Sequence, residues 1–266
     1  MYDLIISFTG LDAANGHIEV FAGLESAAGI GRALALIAHY TGTGEVRYRY
    51  PFSDEVIFYL ESTEEGSFNF RVKVIAGTIA IGIATNAIYD LGKLVLSKAI
   101  GEEATSLSSD VKLLDERRSG DIEALIEAIE PALKKGHYGV GSTIKKIEIY
   151  EEKTKRTIVT FDGSSKDYLN TNNDVGASEQ DVSISALNVN DRTGRAYLLD
   201  LKRTVPFVVS RDAPANTMAI LSTSLDRYAK KRSVAPIRLT FRRIEAGDGR
   251  LKRLIVTGAR DVSLEE

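Results

Sequence analysis

The residues best spaced for chemistry are Glu151-Glu152-Lys153. An acid, a spacer and a lysine at the end of a strand is a pattern found in some metal-dependent nucleases, whose carboxylates share a Mg²⁺. That chemistry needs a further acid from upstream, and the surrounding "EEKTKR" has the composition of a solvated hairpin tip. "DGSSK", Asp162 to Lys166, sets two serines beside a lysine, a possible Ser-Lys hydrolytic pair, but in a polar turn between strands. His17, His39 and His137 are scattered and have no metal-ligand spacing. Gly29-Ile30-Gly31 lacks the third glycine of a dinucleotide loop. Neither a GxxxxGK[ST] phosphate loop nor a G-x-S-x-G elbow occurs. With no cysteine, disulfides, thiolate zinc sites and a cysteine nucleophile are excluded. The residues therefore predict neither a catalytic group nor a metal or cofactor, with a nuclease on Glu151, Glu152 and Lys153 as an alternative.

The stronger polar signal is not catalytic. In "PIRLTFRR" Ile237, Leu239 and Phe241 alternate with Arg238, Thr240 and Arg242, and period two puts the arginines on a solvated face. Lys252 and Arg253 follow across the "EAGDG" turn, and Lys230 and Lys231 precede the hairpin at a helix end. These six cations, Arg238, Arg242, Lys252, Arg253, Lys230 and Lys231, form the expected anion-binding site. Tyr228 is the one aromatic expected to be exposed near them, so stacking on single strands has little support. Net charge is only -3, but it hides a gradient. Residues 1–70 carry three basic and ten acidic residues, whereas 227–260 carry eleven basic and two acidic. Such asymmetry predicts an anionic partner, be it a nucleic acid, a nucleotide or an acidic protein surface. It equally predicts the acidic half of one subunit meeting the basic half of another.

The elements that position these residues divide around an apolar stretch, "VKVIAGTIAIGIATNAIYDLGKLVLSKAIG", residues 72–101. Its uninterrupted run, Val74 to Ala84, is eleven residues, short of the ~20 that a membrane-spanning helix needs. The expectation is a buried helix. Ala76, Ala80, Ala84 and Ile88 recur at helical spacing and form the expected oligomer interface, since small residues let a second backbone approach. A membrane-perturbing effector acting through residues 74–89 is the other reading.

Before this stretch, "YDLIISF", "GHIEVFAG", "EVRYRYPF", "DEVIFYLES" and "GSFNFRVKV" read as strands and "LESAAGIGRALALIAHY" as a helix. After it, "DIEALIEAIEPALKKGHYG" is an amphipathic helix that Pro131 should bend or interrupt. From Thr143 onwards come short strands, the long loop "DGSSKDYLNTNNDVGASEQD", a helix in "ANTMAILSTSLDRYAKK" and a closing hairpin. The class is α+β. An antiparallel sheet with packed helices spans 1–140, and a small barrel-like domain with a basic face spans 141–266, with the break in the glycine-rich "GHYGVGS". The N-terminus lacks the basic region of a signal peptide, which with the missing cysteines predicts a cytoplasmic protein.

The run "RYRYPFSDEVIFYLESTEEGSFNFRVKVIAG", with Gly66-Ser67-Phe68 opening a strand before the Ala/Gly-rich stretch, resembles a group of bacterial proteins. Their C-terminal halves carry a "G-R … R-T-[IV]-P-F" pattern, met here by Gly194-Arg195 and by Arg203-Thr204-Val205-Pro206-Phe207. The resemblance covers most of the chain and implies bacterial origin, with a role in defence against phage as an association. It assigns no activity and no site residue.

Overall fold

The computed structural model describes residues 2–61, 68–84, 87–199, 201, 203–230 and 236–262. Gly66, Ser67 and Lys231 lie outside the described residues. The chain divides into two compact units, one of residues 1–115 and 125–170, the other of residues 116–124 and 171–266.

The first unit is built on a five-stranded antiparallel sheet. Its strands are β1 (Tyr2–Thr9), β2 (Val56–Glu61), β3 (Asn69–Ala76), β4 (Lys146–Glu151) and β5 (Thr157–Phe161), in the order β2-β3-β1-β4-β5. Leu4, Ile6 and Phe8 of β1 alternate into the core at 5% exposure or less. Two helices pack there, α1 (Val20–Thr43) and α2 (Ile88–Ala99). Leu34 and Ile37 of α1 and Leu96 of α2 meet Leu4, Phe58, Ile149 and Ile158 of the sheet. Burying a side chain of this size contributes about 1.5–3 kcal/mol.

Helix α1 begins earlier than its apolar rhythm predicts. Glu19 caps it, its carboxylate accepting the amides of Phe21 at 3.0 Å and Ala22 at 2.7 Å. The strand expected over "GHIEVFAG" is therefore the entry and first turn of a helix. Gly44 ends it in the left-handed conformation, donating to the Tyr40 carbonyl. "EVRYRYPF" is not a strand either. Side chains meet its carbonyls instead, Arg32 donating to Tyr48 O at 3.0 Å and Arg47 to Pro51 O at 2.7 Å.

The apolar stretch 72–101 is not one helix. Its first residues are the end of β3, paired on one side with β1 and on the other with β2. A turn follows, held by Gly77 N–H on Glu55 O at 2.6 Å and Ala80 N–H on Thr41 O at 3.0 Å, before α2 begins at Ile88. Ala76 thus lies in a strand, Ala80 and Ala84 in an exposed turn, and Ile88 in a buried cluster with Ala38 and Val56. They share no helix face, so the helical spacing on which the small-residue interface was expected is not present. Among the described residues the one helix long and apolar enough to cross a membrane is α1, half of whose most apolar window is buried.

Helices α3 (Ser109–Arg117), α4 (Ser119–Gly136) and α5 (Gly163–Asn170) complete the order up to residue 170. Pro131 does not interrupt α4; it stands on the exposed side, while Ile129 and Leu133 are fully buried. The loop expected from Asp162 is in its first part α5. It is closed by a reciprocal cap in which Ser165 N–H donates to Asp162 Oδ1 at 3.0 Å and Asp162 N–H to Ser165 Oγ at 2.8 Å. The domain break expected at 140/141 falls inside this unit. The reason is non-local: β4 pairs with β1, Ile6 opposite Ile149 and Phe8 opposite Ile147.

The second unit is a closed barrel. Its strands are β6 (Asn173–Asn188), β7 (Thr193–Leu198), β8 (Arg203–Val209), β9 (Ile237–Glu245) and β10 (Leu251–Asp261), in the order β10-β8-β7-β6-β9. The closing pair β8–β10 is parallel and the others are antiparallel. β6 serves two neighbours by bending at bulges near Gly176 and Ser185. Ile184, Leu198, Phe207, Leu239, Phe241 and Leu254 fill the interior at 1% exposure or less. Helix α6 (Thr217–Ala229) adds Leu221 to that core, and Ser224 Oγ accepts the Ile184 amide at 3.2 Å. The expected α+β class with a C-terminal barrel is what the structure has.

Candidate functional site

The β9–β10 hairpin sets the barrel's charged strip. Ile237, Leu239 and Phe241 are fully buried, so Arg238, Thr240 and Arg242 face outward. Register puts Arg238 between Asp181 on β6 and Arg260 on β10. Arg238 grips Asp181 with two hydrogen bonds, 2.8 and 3.0 Å, and these hold the Asp181 carboxyl below the usual carboxylate range. Arg242 meets Asp174 at 2.9 Å and Arg260 meets Glu179 at 2.9 Å. The Thr240 hydroxyl donates to the same Glu179 at 3.0 Å. An arginine row on β9 and β10 therefore runs beside an acidic row on β6. The acidic row fell in a segment expected to be loop, although Glu179 and Asp181 are spaced by two.

The other predicted cations separate. Lys252 is not on the solvated face: it alternates inward with Leu254 and Val256 and is 8% exposed. Its ammonium donates to Thr171 O at 3.2 Å and Asn172 Oδ1 at 2.9 Å. Arg253 follows on the outward side of β10, half-buried. Lys230 ends α6 and pairs with Asp226 at 2.7 Å.

In the first unit, Glu151 and Lys153 line a cleft of about 350 Å³ together with Asp3, Tyr89, Asp90, Thr154 and Arg156. The upstream acid exists, since Asp90 is there and is 7% exposed. Arg156 occupies the place a shared cation would take, 2.8 Å from Asp90 Oδ1 and 3.5 Å from Glu151 Oε1. Asp90 Oδ2 accepts the Ser108 amide at 2.9 Å, and Thr154 donates its hydroxyl to Glu151. Glu152 turns elsewhere and pairs with Arg71. Among the described residues no three His, Asp or Glu side chains gather as a metal site.

His137 and Ser165 form a pair that sequence spacing did not predict. Nε2 is 2.8 Å from Ser165 Oγ, and Nδ1 is 2.7 Å from the Leu133 carbonyl, which can only accept, so Nδ1 carries the proton. The geometry resembles a nucleophile and base, but His137 is fully buried and Ser165 is 5% exposed. Lys166 of the "DGSSK" run reaches away, to the Tyr138 and Val140 carbonyls. The group is a structural knot. Burial holds His137 below its ordinary range, helped by the nearby Lys166 charge and opposed by the Leu133 hydrogen bond. His39 is also buried, its Nδ1 accepting the Ser53 amide at 2.9 Å, while His17 is exposed. Gly29 and Gly31 lie in mid-helix, not in a strand-to-helix turn.

Comparison with known families divides the chain near where the fold does. One family model, described as "Family of unknown function (DUF7947)", matches residues 176–260. No curated protein and no solved structure matches the chain. Over residues 4–170, which hold all but the first two residues of the five-stranded sheet, the chain belongs to the family described as "Domain of unknown function (DUF7946)".

Proposed function

We propose that the protein is a non-catalytic binding component that assembles with further copies of itself through the outer face of its C-terminal barrel. The observation behind this reading is the paired strip. Arg238, Arg242 and Arg260 stand beside Asp181, Asp174 and Glu179. Such a strip is self-complementary under a two-fold axis, because each copy's acidic row meets the other's arginine row. The anionic partner expected for this face is then an acidic protein surface. A bare polyphosphate fits less well, since it would meet three carboxylates along with the arginines.

The energetics allow the exchange. The pair members are about a third to a half exposed, and pairs of that kind contribute ~0–1 kcal/mol each. Swapping an internal carboxylate for a partner's costs little, and several swaps along one strip set orientation and encounter rate. The division of charge helps. The first unit holds 16 Lys and Arg against 22 Asp and Glu, net -6, and the second holds 18 against 15, net +3. A reducing cytoplasmic setting fits a chain without cysteine.

The test uses two variants of the full chain, Arg238→Glu plus Arg242→Glu and Asp174→Arg plus Asp181→Arg, weighed by light scattering at low and high salt. Wild type associates at low salt and dissociates at high salt. Each variant alone is a monomer, and an equal mixture of the two associates more tightly than wild type. A mixture that stays monomeric, or variants that keep the wild-type mass, would refute the assembly.

A further inference from the structure

The three basic residues of the acidic stretch 1–70, Arg32, Arg47 and Arg49, come together at one exposed loop of the first unit, residues 45–55 between α1 and β2. Arg32 reaches it from α1, its guanidinium donating to the Tyr48 carbonyl at 3.0 Å. Arg47 folds along the loop to the Pro51 carbonyl at 2.7 Å. Among the described residues none of the three makes an ion pair, although the exposed acids Glu45 and Asp54 flank the loop. The third flanking acid, Glu55, accepts the Thr78 amide at 2.9 Å. The barrel is the contrast, since Arg238, Arg242 and Arg260 each hold a carboxylate. A bond to a carbonyl uses one of a guanidinium's five N–H groups and leaves its charge uncompensated. In a unit of net charge -6, these three cations are open to an anion from outside.

Aromatic rings alternate with the cations. Tyr48 is 40% exposed and Tyr50 79%, one on each side of Arg49. Tyr50 meets Phe52 edge to face at 5.5 Å between centroids, which leaves a face of its ring uncovered by Phe52. The loop is held in place from beneath. Phe52 packs 6.1 Å from the His39 ring, and the Ser53 amide donates to His39 Nδ1 at 2.9 Å. A loop pinned in this way gives up little freedom on binding. These features select the ligand. Inorganic phosphate would use the arginines and leave the tyrosines idle, and a duplex keeps its base faces inside the stack. A single strand presents phosphates to the arginines and base faces to the tyrosines. We infer that this loop binds single-stranded nucleic acid, with Arg32, Arg47 and Arg49 on phosphates and Tyr48 and Tyr50 stacked on bases. The site uses no residue of the barrel's paired strip, so either reading can fail alone.

The experiment is fluorescence anisotropy of labelled oligoadenylates of about twelve nucleotides, RNA and DNA in separate arms, titrated with the full chain. A strand binds, and the same strand annealed to its complement binds about tenfold or more weakly. The tighter arm names the source of the strand. Log affinity falls with log salt at a slope of about -2, the value for three phosphate contacts on a single strand. Arg49→Gln weakens binding and makes that slope shallower by about 0.7. Tyr50→Ala weakens binding about tenfold and leaves the slope unchanged. Arg49 makes no hydrogen bond or ion pair among the described residues, so its variant reports on the site even if Tyr50→Ala disturbs the loop. Oligoglutamate of equal length does not compete. The assignment is overturned if neither strand binds, if the duplex binds as well, if oligoglutamate competes equally, or if either variant binds like wild type.

Discussion

Alanine at position 29 is expected to destabilise the first unit by about 1–3 kcal/mol or more, while alanine at position 31 stabilises it. The two glycines are one residue apart in the same helix, α1, and sequence alone treats them alike. A Cβ on Gly29 would lie 2.3 Å from the Gly136 nitrogen and 2.6 Å from the Ala132 carbonyl oxygen. Those atoms are the backbone of α4, which cannot rotate away as a side chain can, so the two helices must part. A Cβ on Gly31 meets nothing within 4 Å. There alanine only removes the cost of a flexible glycine in a helix, for a gain of roughly 0.5–1 kcal/mol. Urea unfolding followed by circular dichroism, with exchange of the α1 amides to assign the transition, reads both effects. Equal shifts at the two positions would mean that α1 and α4 do not cross at Gly29.

Acidification is expected to weaken the same unit through His137. Its folded-state affinity for a proton is lowered by burial, so the native protein holds it neutral while the unfolded chain protonates near the ordinary histidine value of 6.5. The unfolded state thus binds more protons, and stability rises with pH in that window. The contribution is fully present above about pH 6.5 and is lost as the pH falls below it, at up to ~1.4 kcal/mol per pH unit for one group. His39, lowered by burial and by the Arg47 charge, acts in the same direction. His137→Gln should flatten the slope between pH 7.5 and 5.5. Ser165→Ala, which strands Nε2 without its hydroxyl, should cost about 1–3 kcal/mol at neutral pH. Denaturant midpoints across that pH range test both; a slope in His137→Gln as steep as in wild type would sink this account.

Local pattern was enough for β1, the later part of α1, α4 and the β9–β10 hairpin, because each carries its own period and turn chemistry. Ile237, Leu239 and Phe241 alternate with Arg238 and Arg242, and the structure buries the first set and turns out the second. The class of the C-terminal half followed from its short strands. The buried helix expected over residues 72–101 rested on a continuous apolar run, which by itself does not choose between strand and helix. The choice went to a strand as far as Ala76 because β1 and β2 offered ladders on both sides. The units' division depended on β4 finding β1 across more than a hundred residues, which no local signal reports. The charged strip shows the same limit. Alternation alone could place the arginines outward, but their partners, Asp181 and Asp174, arrive from β6 only when the barrel closes. Lys252 looked like its neighbours until register turned it inward. Side-chain direction is a property of the strand, whereas what a side chain meets is a property of the fold.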